Sequence, residues 1–383
     1  MKRVLNIASL LLVAAMLFSC GDAKDPVNSD EANGIIAEIE SLILVSDKNV
    51  IQSNGSDAAT LSVYTPDGED VTAESIIYQI TGYNSKNEPE FSQLNLKDYK
   101  FTASESGEYK LMASYKALIT ENYLSVNAID VTVPSAVEDP KPESTSFVHR
   151  VFLNQYTGTA CGFCPGMVRV LRETLVDEVA DKAVLAAIHS YNSSDPAYLA
   201  TPKASGYPFL HIDMVQGFNY DAGSAALTSL INDMSSSKAK VGISANPVYE
   251  NDRLVVRVSV KAAETGNYNL GVWFLQDNVY GMQTDNLGIT TGDDTYNKHH
   301  NCVRLADSRY MGSYAGYPLG EIKAGKTAER TFVLNVNTKR WKLTDLNDLH
   351  FAAFVTTLEG RAYKVVNVID CPYNEPVTFD YAE

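Results

Sequence analysis

Two cysteines separated by two residues stand in the run T-G-T-A-C-G-F-C-P, residues 157–165. At this spacing Cys161 and Cys164 can exchange disulfides, form half of a metal clip, or staple a turn. Met167, Val168, Leu171, Leu175, Val176 and Val179 follow at helical spacing and predict a helix over 166–182. A helix starting there sets Cys161 near unpaired N–H groups and the positive end of the dipole, which favour a thiolate. Cys164 lies one turn on, and Pro165 fits a first turn because its missing N–H is no loss. These positions predict a solvent-accessible pair with Cys161 the more reactive thiol. A zinc site needs two more ligands, and neither Cys302 nor Cys371 has a Cys or His at metal spacing, so no metal and no cofactor is expected. Exchange and a permanent bond both remain open.

Other chemistry-bearing residues are scattered. His189 ends an apolar run and could lie near the pair, although a structural histidine is the simpler reading. His299 and His300 with Asp293 and Asp294 could hold a cation, but a solvated loop is the simpler explanation. Position alone supports no serine-protease triad, phosphate loop or glycosidase acid pair.

The compartment follows from the start of the chain. MKRVLNIASLLLVAAMLFSC has two basic residues, an apolar run from Ile7 to Phe18, then Ser19 and Cys20. The run is too short to span a bilayer and reads as a secretory signal over 1–20. Leu17-Phe18-Ser19-Cys20 resembles a bacterial lipobox, which makes Cys20 the lipidation residue and the lipid an N-terminal membrane anchor. Export permits disulfides, and Cys302 with Cys371 are a candidate pair once the other three of the five cysteines are assigned. The net charge of −16 is uneven: residues 21–146 hold 22 acidic and 8 basic side chains. That excess argues against nucleic acid or anionic lipid as partners.

The elements around the pair suggest a multidomain, mainly β chain with one α/β domain. Residues 21–34 are polar and acidic, a flexible tether. From 35 to 134 short strands alternate with turns, as in ATLSVYTPDGEDVT, giving an Ig-like β-sandwich. PSAVEDPKPESTS leads through a linker over 135–146. Residues 147–238 then read strand, CxxC, helix, strand, Pro208, strand, helix, the order of a short thioredoxin-like fold. In such folds a proline like Pro208, preceding a strand, is set in cis against the pair. From 239 to 383 strands such as LVVRVSVK, with Arg257, Ser259 and Lys261 on the polar side, predict a C-terminal β-sandwich.

The run T-G-x-x-C-G-x-C-P, the lipobox, the β-rich C-terminal part and YNKHHNCVR (296–304) together resemble the lipoprotein family related to outer membrane protein Omp28. The resemblance spans roughly 147–383. It implies an outer-membrane lipoprotein, at the periplasmic face or the cell surface, with a thioredoxin-like core. Two departures stand out. Gln155 occupies the position, six before Cys161, where that family and thioredoxins carry an acid, and Ala160 replaces an aromatic residue. Without the acid, Cys164 lacks a general base. Two functions therefore compete. One is envelope thiol–disulfide exchange with protein thiols, using Cys161 as nucleophile, Cys164 as resolving thiol and Pro208 to position substrate. The other is a non-catalytic binding or adhesion protein for surface ligands, with the core as scaffold.

Overall fold

The computed structural model describes residues 41–201, 204–307 and 315–383. The expected signal, Cys20, the tether and the first residues of the N-terminal sandwich lie outside them.

Strand alternation is clearest in Ala58–Tyr64, where Ala59, Leu61 and Val63 point inward and their neighbours do not. Among the described residues this strand belongs to a three-stranded sheet with Ile43–Ser46 and Lys100–Thr102. A six-stranded sheet, including Gly107–Tyr115 and Leu124–Ile129, accompanies it. Leu61, Val63, Phe101, Leu111 and Val126 share one core. Each such fully buried aliphatic side chain contributes about 1.5–3 kcal/mol relative to exposure.

The remaining chain is organised by one nine-stranded sheet among the described residues. Its strands, in chain order, are β1 (Val151–Thr157), β2 (Ala183–His189), β3 (Phe209–Ile212), β4 (Gln216–Phe218) and β5 (Gly266–Gln276). They continue with β6 (Cys302–Asp307), β7 (Tyr317–Ile322), β8 (Leu349–Glu359) and β9 (Ala362–Pro372). The spatial order is β4-β3-β1-β2-β6-β5-β8-β9, with β7 also pairing β5. β1 and β2 run parallel, as a strand–helix–strand crossover requires. The other pairs are antiparallel except β2 and β6, which join in parallel where Ala187 faces Cys302. The sheet thus runs unbroken across residue 239.

Helix α1 (Cys164–Thr174) packs Met167, Val170 and Leu171 on Leu153 and Leu210 of the sheet, beside Leu227 and Ile231 of α2 (Ser224–Ser235). α1 is shorter than its periodicity predicts. It closes at Leu175, whose N–H bonds back to Leu171, and Val176 is exposed rather than part of the apolar face. A three-stranded antiparallel sheet (Val241–Glu250, Arg253–Ala262, Thr327–Asn335) packs on the large sheet through Ile243, Val256, Val258, Phe274, Phe351 and Val355. Alternation misled at Lys261, expected on a polar face. It is buried, with its Nζ on Asp139 at 2.9 Å and on the Pro142 carbonyl at 2.6 Å. The 135–146 segment supplies those partners and so lies against the sheet. No helix among the described residues is long and apolar enough to cross a membrane.

Candidate functional site

β1 delivers the chain to Thr157, and two tight turns follow. The Cys161 N–H donates to the Gly158 carbonyl (3.0 Å) and the Cys164 N–H to the Cys161 carbonyl (3.2 Å). α1 then begins at Cys164, with Pro165 in its first turn. Cys161 and Cys164 are joined in a disulfide, with Cα atoms 5.4 Å apart. Tyr207–Pro208 is a cis peptide bond at the start of β3, whose Phe209 pairs with Tyr156 of β1. Pro208 and the disulfide therefore sit at the same end of the sheet.

The expected solvent access is not found. Cys161 is 3% exposed and Cys164 is fully enclosed. The cover is residues 281–290, a segment that follows β5 in the chain and that no local pattern ties to the pair. The Thr284 N–H donates to the Thr159 carbonyl and the Asn286 N–H to the Gly162 carbonyl, both at 2.8 Å. Gln283 Nε2 donates to the carbonyls of Thr159 (3.2 Å) and Cys161 (3.0 Å). Contact is close enough that a Cβ on Gly162 would lie 2.3 Å from Asn286 Nδ2. Only the flanking Ala160 and Phe163 remain exposed.

Beneath the pair lies a second constellation. His189 ends β2, and its Nδ1 meets Asp195 Oδ2 at 2.9 Å while its Nε2 meets Cys302 Sγ at 3.6 Å. Asp195 also accepts from the N–H groups of Thr159 (2.7 Å) and Ala197 (2.8 Å), so its carboxylate is fixed at both oxygens. All three residues are buried. Burial opposes charge on the imidazole, but the Cys302 sulfur and the Asp195 carboxylate outweigh it and push the His189 pKa up to about 10. Burial likewise opposes the Asp195 carboxylate, yet His189 holds it well below the usual carboxylate range. The relay reaches the CxxC loop through Thr159. His189 was singled out by its strand-end position. Asp195, within a polar loop, and Gln283 gave no sequence signal.

Cys302 and Cys371 do not pair. Both are free and buried. β5 and β8 stand between their strands, so three strand spacings, about 14 Å, separate them. A disulfide needs Cα atoms within about 7 Å. Nothing in the sequence fixed strand order, and export alone does not bring thiols together. The residues that could have held a cation, His299 and His300 with Asp293 and Asp294, are dispersed as well. His299 Nε2 donates to the Gly281 carbonyl, His300 faces Asp277, and Asp293 accepts from the Thr295 N–H. Among the described residues no group of three or more His, Cys, Asp or Glu is placed to hold a metal. Gln155 is buried in β1, and its Nε2 has no hydrogen-bond partner among the described residues.

This much defines a mainly β protein of several sheets with a covered CxxC. Residues 196–375 match the model of the family described as outer membrane protein Omp28. The family resemblance read from the sequence holds over that stretch, which includes β3 to β9 and Cys302 but begins beyond the CxxC. No curated protein matches the chain. Among solved structures, HBP35 of Porphyromonas gingivalis is similar over 60% of this chain and 76% of its own, at 16% identity and a TM-score of 0.48. A DUF4785 family protein from Legionella pneumophila is similar over 88% of this chain and 56% of its own, at 10% identity and a TM-score of 0.17.

Proposed function

We propose that residues 147–238 form a short thioredoxin-like module whose Cys161–Cys164 pair exchanges disulfides with protein thiols of the cell envelope. A lipid on Cys20 anchors the chain at the outer membrane, and an Ig-like sandwich carries the module away from it. The observation that carries this reading is the disulfide closed against the start of α1, at the end of the sheet that also carries Pro208. A substrate thiolate attacks the Cys161 sulfur, the Cys161–Cys164 bond breaks and Cys164 takes the electron pair. A second substrate thiol then displaces Cys161, leaving the substrate oxidised and the pair reduced. The α1 N-terminus favours the Cys161 thiolate as leaving group. Gln155 supplies no proton relay to Cys164, so turnover is slow rather than absent.

Burial under residues 281–290 favours the second reading, a static pair within a binding scaffold. Cys164→Ser separates the two. Under exchange, Cys161 in this variant attacks a disulfide-bonded peptide and accumulates a mixed disulfide as the other peptide thiol leaves, and Cys161→Ser does not. A static pair traps nothing in either variant. The anchor is tested separately: Cys20→Ala moves the mature chain from the membrane to the soluble fraction, and sedimentation with membranes after a high-salt wash would refute it.

A further inference from the structure

Cys302 has the partners of a nucleophile. Its sulfur faces His189 Nε2 at 3.6 Å, and the far nitrogen of the same ring is held by Asp195 at 2.9 Å. That order of thiol, imidazole and carboxylate is how a weak nucleophile is activated and its base oriented. The frame is stiff. Cys302 is paired into the sheet between β2 and β5, and Asp195 is pinned by two backbone N–H groups. His299 packs edge-on against the His189 ring at 5.0 Å and fixes its plane.

Access decides the substrate. The sulfur itself is fully buried, between Ala197 and Val279. A cavity of about 300 Å³ is lined by its partner His189 and its neighbour Asn301, with His299, Leu171, Arg172 and Gln155, and Cys302 lies behind that wall. Gln155, 4% exposed, belongs to that lining, and its buried amide nitrogen lacks a partner among the described residues. A buried amide N–H without an acceptor is costly and suits a small polar guest. No peptide or protein reaches a sulfur so enclosed. The guest must therefore be small, a molecule of two or three heavy atoms.

We propose that Cys302, His189 and Asp195 form a second thiol centre, in which Cys302 reacts with hydrogen peroxide and small hydroperoxides. The sulfur attacks the terminal peroxide oxygen, and the thiol proton refills the Nε2 position of the His189 imidazolium as the ring gives up its own. A sulfur–oxygen bond forms and the oxygen–oxygen bond breaks. His189 gives its proton to the departing oxygen, so thiol and hydroperoxide become sulfenic acid and water or alcohol. The sulfur is oxidised, the peroxide reduced, and Asp195 keeps the ring oriented throughout. This centre operates whether or not Cys161 and Cys164 exchange.

Cys371 is the internal control, since it is equally buried but no histidine pairs with it among the described residues. The full chain, with its disulfide intact, is exposed to hydrogen peroxide at neutral pH for graded times. Excess peroxide is removed, the chain is unfolded in the presence of dimedone, and sulfenic acid is mapped by peptide mass spectrometry. Label on Cys302 well ahead of Cys371 is expected. His189→Gln lowers the Cys302 rate by at least about a hundredfold, the lower end of positioned acid–base help. Asp195→Asn lowers it less. Label on Cys371 would expose any variant that has opened its core, and the wild-type ratio needs no variant. Equal rates at Cys302 and Cys371 in the wild type, or an unchanged Cys302 rate in a folded His189→Gln chain, would overturn the proposal.

Discussion

Cys302 and Cys371 are both fully buried in one sheet, yet their surroundings treat sulfur in opposite ways. Around Cys371 the packing is apolar, with Leu349, Phe351 and Ile369 in the same core. Burial, aided by Asp370, pushes its thiol well above the ordinary range. Around Cys302 a histidine and a carboxylate are aligned within hydrogen-bonding order. The difference teaches that enclosure does not set a thiol's chemistry; the charges enclosed with it do. The Cys161–Cys164 disulfide is a third case, covered by a polar segment rather than by core.

The sharpest contrast between the two free thiols is in stability. His189→Ala leaves Asp195 charged and without its main partner inside the protein. Breaking a buried pair on one side costs about 3–5 kcal/mol, whereas Cys371→Ala removes one buried sulfur for about 1–2 kcal/mol. Chemical denaturation measures both. Equal costs would mean that the relay is ordinary packing.

Titration sharpens the same point. His189 and His350 both have folded pKa values raised from 6.5 to about 10, His350 because Asp277 and Asp370 outweigh its burial. A raised histidine pKa adds stability that is complete below 6.5 and is lost as pH rises towards 10. Asp213, which burial raises to about 7, has already lost its contribution by the middle of that window. The thermal midpoint should therefore fall between pH 7 and 10, and fall less in His189→Gln. A flat profile in the wild type would break the assignment of charge to the relay.

Legibility from sequence followed the range of the interactions. The alternation in Ala58–Tyr64, the apolar faces of α1 and α2 and the strand–CxxC–helix order are local, and each was readable. Strand order was not. Placing β6 beside β2 joins Cys302 to His189 across more than a hundred residues, and no spacing encodes that. The same is true of Gln283 and Asn286, loop residues of ordinary type that become the cover of the disulfide. Lys261 failed for a related reason: its partner Asp139 lies in a segment whose composition resembles a free linker.

Two smaller effects concern the cover. Gln283→Ala removes donors to the Thr159 and Cys161 carbonyls, and the lost hydrogen bonds cost about 0.5–1.5 kcal/mol. Reduction of the disulfide by dithiothreitol should accelerate several-fold, while Cys302 and Cys371 remain protected. An unchanged rate would show that residues 281–290 do not control access. Phe163, 49% exposed, is the apolar rim of the pair. Phe163→Ala should change stability by less than about 0.5 kcal/mol, as surface substitutions do, yet weaken mixed-disulfide formation with peptides. If peptide trapping is unaffected, substrate contact lies elsewhere.

Exchange at Cys161–Cys164 is tested most directly by the reduction potential of that pair. The full chain is equilibrated in graded dithiothreitol buffers and the oxidised fraction is counted by alkylation. An exchanging pair should titrate at a potential less negative than about −300 mV, where catalytic disulfides fall. A pair that stays oxidised well below that value is a structural bond, and would contradict the exchange function.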